Sequence, residues 1–252
     1  IFLKYLKRKF IFIYKLIKFM NEKYQGLILF VKKIKDNDLF IKILAKNDEI
    51  FSGLVYGGNS SKKKNIYQIG YFIEFTYTQK NNSAPKSINA DIIQPFINPI
   101  LNNKFKSFAL LNIISLINIS ILEGQKLIGI FQSVRDIINI ISSQKSWISY
   151  YCEWLLSLLK IIGYQIDYKN QNDNRYFNLL TNEFTLDKIN NSIKFPFKIF
   201  EHNKIYFDDL NNFFIIFENI FKKNHLDNLN YKMPINFINF KEIVLKELKN
   251  KQ

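Results

Sequence analysis

From Tyr24 to about Ile93, apolar and polar residues come in short alternating runs. Gly26–Val31, Leu39–Leu44, Ile50–Val55, Tyr71–Tyr77 and Ser87–Ile93 are apolar, and Lys32–Asp38, Lys46–Glu49, Gly57–Asn65 and Gln79–Lys86 separate them. Runs of this length bounded by turn residues predict five short strands. Five strands in so short a span suit a small closed barrel, for which the OB-fold is the expected five-stranded solution. Pro95 and Pro99 have no amide N–H to give to a ladder, so strand pairing is expected to end there.

Beyond the prolines the runs lengthen and the period changes. Lys104–Leu122, Gln125–Ile141 and Lys145–Ile162 are apolar-rich stretches, broken at Glu123-Gly124 and Ser142-Ser143. In the third, Trp147, Tyr151, Trp154, Leu155, Leu158 and Ile162 recur at helical spacing, and Gly163 supplies a stop. That stripe is read as core packing rather than a ligand box. Gln165–Thr185 is polar and irregular, and further helices are expected over Leu186–Asn191, Asp208–Lys223 and Ile238–Lys249. The fold class is therefore α+β. Residues 20–97 form a barrel domain, residues 98–252 a helical domain, and residues 1–19 an extension.

That extension, IFLKYLKRKFIFIYKLIKF, carries Lys4, Lys7, Arg8, Lys9, Lys15 and Lys18 and no acid. Its charges interrupt it too often for a membrane span, which needs about 20 mostly apolar residues. It reads as an interfacial basic helix, a transit-like peptide, or an upstream extension absent from the working protein, which would then start at Met20. The formal net charge of +15 points to an acidic partner, nucleic acid or an anionic membrane surface. Only Arg8, Arg135 and Arg175 are arginines, and Ile, Asn, Lys and Phe abound, as an A+T-rich coding sequence would produce. Charge alone therefore does not establish a nucleic-acid partner.

Residues that would carry catalysis are scarce. Cys152 is the single cysteine, which excludes an internal disulfide and any multi-cysteine zinc site; among Tyr151, Trp154 and Leu155 it reads as a buried structural thiol. His202 and His225 are isolated and lack metal-ligand spacing. Asp208-Asp209 is the clearest acidic pair, but neighbours on a helix point in different directions, so the pair is read as capping the helix that follows. No phosphate-binding glycine loop, nucleophile elbow or dinucleotide fingerprint occurs. The chain is not expected to be an enzyme or to hold a cofactor or a metal.

The segment FSGLVYGGNSSKKKNIYQIGYFI carries the most information. It joins a strand to a Gly57-Gly58 turn, then to Lys62, Lys63 and Lys64, then to a second strand. Glycines permit the positive-φ turns that would present these lysines, and a flexible basic loop beside a sheet can hold phosphates. An ordinary solvated hairpin loop has the same composition. With Lys32, Lys33 and Lys35 on the first hairpin, the three loop lysines are the candidate DNA contacts. Tyr56, Tyr67 and Tyr71 are candidate stacking partners, although strand alternation allows only some of them to be exposed.

A barrel followed by these helices resembles the RecO family of bacterial recombination-mediator proteins, especially its alphaproteobacterial members, from about Tyr24 to Leu248. YQGLILFVKKIKDNDLFIKIL is similar to the family's opening strands. FSGLVYGGNSSKKKNIYQIGYFIEFTY resembles its glycine turn, basic loop and strand entry, with Ile69 where proline is usual. YYCEWLLSLLKIIGYQIDY looks like its leucine-rich helix and stop, and FKKNHLDNLNYKMPINFINF like its C-terminal segment. Glu153 stands where the family often has a basic residue, and Asn236 and Asn239 where arginines are frequent. Gln165–Arg175 lacks the cysteine cluster of many relatives, so no structural zinc is expected.

The resemblance implies a cytoplasmic, nucleoid-associated repair and recombination mediator. Such a protein would bind single-stranded DNA and possess an annealing activity on complementary strands. With a RecR-type partner it would help the RecA recombinase displace single-strand-binding protein, whose acidic tail would dock on the helical domain. Duplex DNA is a further possible ligand. The alternative is a peripheral membrane or scaffold protein, with Ile1–Phe19 as its lipid anchor.

Overall fold

Strand pairing closes the expected barrel. The computed structural model describes residues 23–79, 84–94, 98–171, 175–202 and 204–251. The basic segment Ile1–Phe19, Met20 and Pro95 lie outside the described residues. Five strands, β1 (Lys23–Lys35), β2 (Asp38–Ala45), β3 (Ile50–Val55), β4 (Phe72–Thr78) and β5 (Ser87–Gln94), form a closed barrel in the order β1-β2-β3-β5-β4. All neighbours are antiparallel except β3 and β5, which run parallel and meet at Leu54 and Ser87. This is the five-stranded OB arrangement.

One long strand makes closure possible. Residues Lys23–Leu27 of β1 pair with β4, and Gly26–Lys35 pair with β2, so a single strand serves both edges. The inward residues of β2, Leu39, Ile41 and Ile43, join Ile28, Val55, Ile73, Phe75 and Ile88 in the barrel core. Burying each such side chain contributes about 1.5–3 kcal/mol.

Tyr67 belongs to this core too. It is 3% exposed, and its hydroxyl accepts the Ala90 N–H at 3.1 Å, tying the β3–β4 connection to β5. Burial pushes the phenol pKa above its usual value. Tyr67→Phe would leave the buried Ala90 amide unpaired and is expected to cost about 1–3 kcal/mol in urea unfolding.

The chain divides into two compact units, Ile1–Pro95 and Phe96–Gln252. In the second unit a single turn, α1 (Asn98–Leu101), precedes α2 (Lys104–Ser120), α3 (Ile130–Ser143) and α4 (Ile148–Ile161). Helix α3 starts five residues later than the apolar pattern suggests, because Gly129 holds a left-handed φ of 85° at its N-cap. Trp147, Tyr151, Trp154, Leu155 and Leu158 are buried, as the stripe implied. Tyr151 also accepts a 2.8 Å bond from the amide of buried Asn112.

The segment after α4 departs from expectation. Gln165–Thr185 contains strand rather than irregular chain, and Leu186–Asn191 is not helical. Three-residue strands β6 (Tyr176–Asn178), β7 (Glu183–Thr185) and β8 (Ser192–Lys194) pair in the order β7-β6-β8. Asn191 adopts φ 60°, and the Ser192 hydroxyl bonds back to the Ile189 carbonyl at 2.7 Å, a turn chemistry that competes with helix. Phe184 meets Phe177 and Phe195 at 5.3 and 5.0 Å, giving the small sheet an aromatic floor.

Helices α5 (Phe207–Phe221) and α6 (Ile235–Lys251) complete the unit. Asp208 and Asp209 occupy the first turn of α5, but the N-cap is Tyr206 and no side chain bonds to the cap amides. The acidic pair therefore faces the positive end of the helix dipole and does not cap it, a correction to the sequence expectation. No helix among the described residues is long and apolar enough to cross a membrane.

Candidate nucleic-acid interface

The connection that carries Lys62–Lys64 is tied at its start to the hairpin that carries Lys32, Lys33 and Lys35. After β3 the chain turns at Gly57, whose φ of 65° suits glycine. The Gly57 N–H donates to Asp38 Oδ1 at 2.8 Å, and the Asn59 N–H donates to the Asn37 carbonyl at 2.8 Å. Asn37 lies in the β1–β2 turn and Asp38 opens β2. Gly58 is also constrained, since a Cβ there would lie 2.7 Å from Val55 Cγ1 and 3.0 Å from Leu39 Cδ1. The lysine segment is thus docked on the first hairpin.

The segment is a succession of hydrogen-bonded turns rather than the open, flexible loop that its composition suggested. Lys63 and Lys64 amides donate to the Ser60 carbonyl at 3.0 and 2.9 Å, and the Ile66 amide donates to Lys63 at 2.8 Å. Farther on, the Gly70 amide donates to the Ile28 carbonyl at 2.8 Å, returning the chain to the barrel. Lys62 and Lys64 are exposed and Lys63 is half-buried; Lys32, Lys33 and Lys35 are exposed. None of the six has an ion pair among the described residues. Among the described residues these lysines have no carboxylate partner, which leaves their charge available to phosphates.

The three tyrosines separate. Tyr56 follows β3 and is 55% exposed, so a ring face is open to solvent. Tyr67 is in the core, and Tyr71 is half-buried and packed against the barrel cluster. Tyr67 therefore has no ring face for a base, because its ring and hydroxyl both serve the barrel. This corrects its selection as a stacking candidate.

Sequence reasoning missed three residues on the outer face of β1 and β2. Leu29 is an extra residue in β1: Ile28 pairs with Ile43, but Phe30 pairs with Lys42. This bulge reverses the alternation. Ile28 points into the core, Phe30 and Lys32 point outward, and Val31 packs inward. Lys32 is opposite Phe40, and Phe40 is opposite Leu54. Phe30 and Phe40 are half-buried, with ring centroids 6.5 Å apart at 67°. The outer face thus interleaves Phe30, Phe40, Lys32 and Lys42. The β2 pattern in DLFIKILA already implied that Phe40 and Lys42 share a face; the bulge that brings Phe30 and Lys32 beside them had no sequence signal.

Other reactive residues serve the structure of the helical unit. Cys152 is fully buried, and burial pushes its thiol pKa well up. His202 stacks on Tyr150 at 4.2 Å and lies 3.4 Å from Glu153 Oε1. The His225 ring bonds to the Ile119 carbonyl at 3.1 Å. Among the described residues no group of His, Cys, Asp and Glu is arranged to hold a metal.

No protein-family model matches the chain. It is similar to proteins named DNA repair protein RecO. That of Rickettsia canadensis (strain McKiel) is 30% identical over 148 residues, 59% of this chain and 61% of the relative. That of Rickettsia akari (strain Hartford) is 29% identical over 148 residues, 59% and 62% respectively. That of Orientia tsutsugamushi (strain Boryong) is 26% identical over 147 residues, 58% and 61%. The chain spans 61–62% of the length of these curated relatives.

Proposed function

Taking the chain as the divergent RecO that its relatives support, we propose that it acts in DNA repair and recombination by binding single-stranded DNA and annealing complementary strands. The observation that carries this reading is the tie of the Gly57–Asn59 turn, which leads into Lys62–Lys64, to the β1–β2 hairpin of an OB-type barrel that bears Lys32, Lys33 and Lys35, six lysines without an ion pair among the described residues. Lysines at phosphates release condensed counterions, so affinity falls as salt rises. The same neutralisation lowers the repulsion between two backbones and favours their encounter. In this reading residues 20–97 hold the DNA. Residues 98–252 serve partners: a RecR-type protein, the single-strand-binding protein and, indirectly, RecA. The protein would work without a cofactor in the cytoplasm, at the nucleoid.

The partner role has a candidate place within the helical unit. A cleft of about 390 Å³ is lined by Phe105, Trp147, Val244 and Leu248, with Lys106, Lys145 and Glu247 beside them. Lys106 donates to the Ser142 and Gln144 carbonyls at 3.2 Å, while Lys145 is exposed and available to an acidic peptide. Lys145→Glu is expected to weaken binding of a single-strand-binding-protein tail peptide by at least about fivefold, as reversal of a rim charge would. Fluorescence anisotropy checks it, and unchanged affinity would move the tail site elsewhere.

Annealing of two complementary oligonucleotides, followed by fluorescence quenching, tests the main reading. Acceleration that fades with added salt is expected. If annealing is not accelerated and the protein instead sediments with anionic vesicles, the membrane or scaffold alternative replaces this reading.

A further inference from the structure

We infer that the helical unit carries a pocket for the phenol ring of a tyrosine presented by a partner protein. The site shares no lining residue with the cleft beside Lys145, and it stands independently of the DNA reading. After α5 the chain makes a π-helical turn, Lys222–Leu226, a wide turn of the kind found at binding sites. The turn brings His225 to the C-terminal end of α2, where its Nε2 meets the Ile119 carbonyl at 3.1 Å. Phe221 and Tyr164 pack on the imidazole, with ring centroids 5.2 and 6.3 Å away. Here a pocket of about 220 Å³ opens, walled by Leu127, Ile162 and Leu229, with His225 and Ser120 among its polar groups. Ser120 is 3% exposed, and its hydroxyl has no hydrogen-bond partner among the described residues. A buried hydroxyl in that state calls for a partner from outside.

Size, charge and hydrogen bonding name the occupant. The pocket exceeds the cavity of about 150 Å³ that holds benzene and falls below the roughly 300–1,000 Å³ of sites for free small molecules. One substituted ring fits, and its carrier stays outside. Leu122 at the mouth is 38% exposed, and Ile128, next to Leu127, is 84% exposed, so the carrier meets an apolar surface. No Lys, Arg, Asp or Glu lines the pocket, so a charged side chain finds no counter-ion there. The Ile119 carbonyl can only accept, so His225 Nε2 donates, and Nδ1 of the uncharged ring is an acceptor. A phenol hydroxyl can donate to that nitrogen and accept from Ser120 Oγ. Phenylalanine does neither, and an indole N–H only donates. Tyrosine joins an apolar ring to a polar tip, the combination that protein interfaces favour.

NMR titration of the full chain reads the site directly, because the chain has two histidines, whose imidazole signals a His202→Gln variant tells apart. The probes are N-acetyltyrosinamide, N-acetylphenylalaninamide and a capped peptide with one tyrosine between two leucines. The tyrosine amide is expected to shift the His225 signals, leave those of His202 in place, and bind at least about fivefold more tightly than the phenylalanine amide. Ser120→Ala, which removes only the hydroxyl, should abolish that preference, and the peptide should bind more tightly than the amide. An unmoved His225 overturns the site. Equal affinity for the two amides, or a preference that survives Ser120→Ala, overturns the recognition of a hydroxyl. A peptide no tighter than the amide overturns the partner protein as the source of the ring.

Discussion

Replacing Lys62, Lys63 and Lys64 together with alanine is expected to weaken single-strand binding by about 100-fold near 0.1 M salt and to flatten the plot of log affinity against log salt by about 2, if each lysine engages one phosphate. The reason is their setting more than their number. The Gly57–Asp38 and Asn59–Asn37 hydrogen bonds hold these turns against the hairpin that bears Lys32, Lys33 and Lys35. One phosphate backbone would therefore meet both groups. A variant at Lys169, Lys188 and Lys198, exposed on the helical unit, removes the same net charge at a different place. Its slope should stay near that of the wild type. Equal losses in the two variants would mean that overall charge, not this end of the barrel, governs binding.

Gly26→Val should produce the largest loss of stability in the barrel, about 3 kcal/mol or more, at the upper end for overpacking a tight core. Gly26 is the point at which β1 belongs to both ladders, pairing with Ala45 of β2 and with Ile73 of β4. A Cβ there would collide with the Ile43 side chain, lie 2.9 Å from the Leu44 carbonyl and come within 3.1 Å of Phe75. Neither ladder can yield without opening the barrel. Urea unfolding reports the effect as a lowered midpoint, and an unchanged midpoint would show that the two ladders have slack at this crossing.

These two sites differ in how visible they were in the primary structure. The five strands could be read because each presents a clear run of apolar residues between polar separators, as β3 does over Ile50–Val55. The lysines and the Gly57-Gly58 turn were equally plain. Their docking on the β1–β2 hairpin was not, because it depends on hydrogen bonds between segments about twenty residues apart, such as that from the Gly57 N–H to the Asp38 carboxylate. Phe30 was hidden by the Leu29 bulge, since a strict period of two from inward-facing Ile28 assigns Phe30 to the core. Tyr67 presented the opposite problem. It lies in a polar loop by sequence, yet the chain's return to the barrel buries its ring and uses its hydroxyl. The small β6–β8 sheet escaped notice because three-residue strands are too short to display a period.

The most direct measurement is binding of the full chain to a labelled single-stranded oligonucleotide across a salt series. The proposed function predicts measurable affinity at low salt, a linear fall of log affinity with log salt, and a slope that flattens when Lys62, Lys63 and Lys64 are replaced. No binding at the lowest salt, or a slope untouched by that replacement, would contradict it.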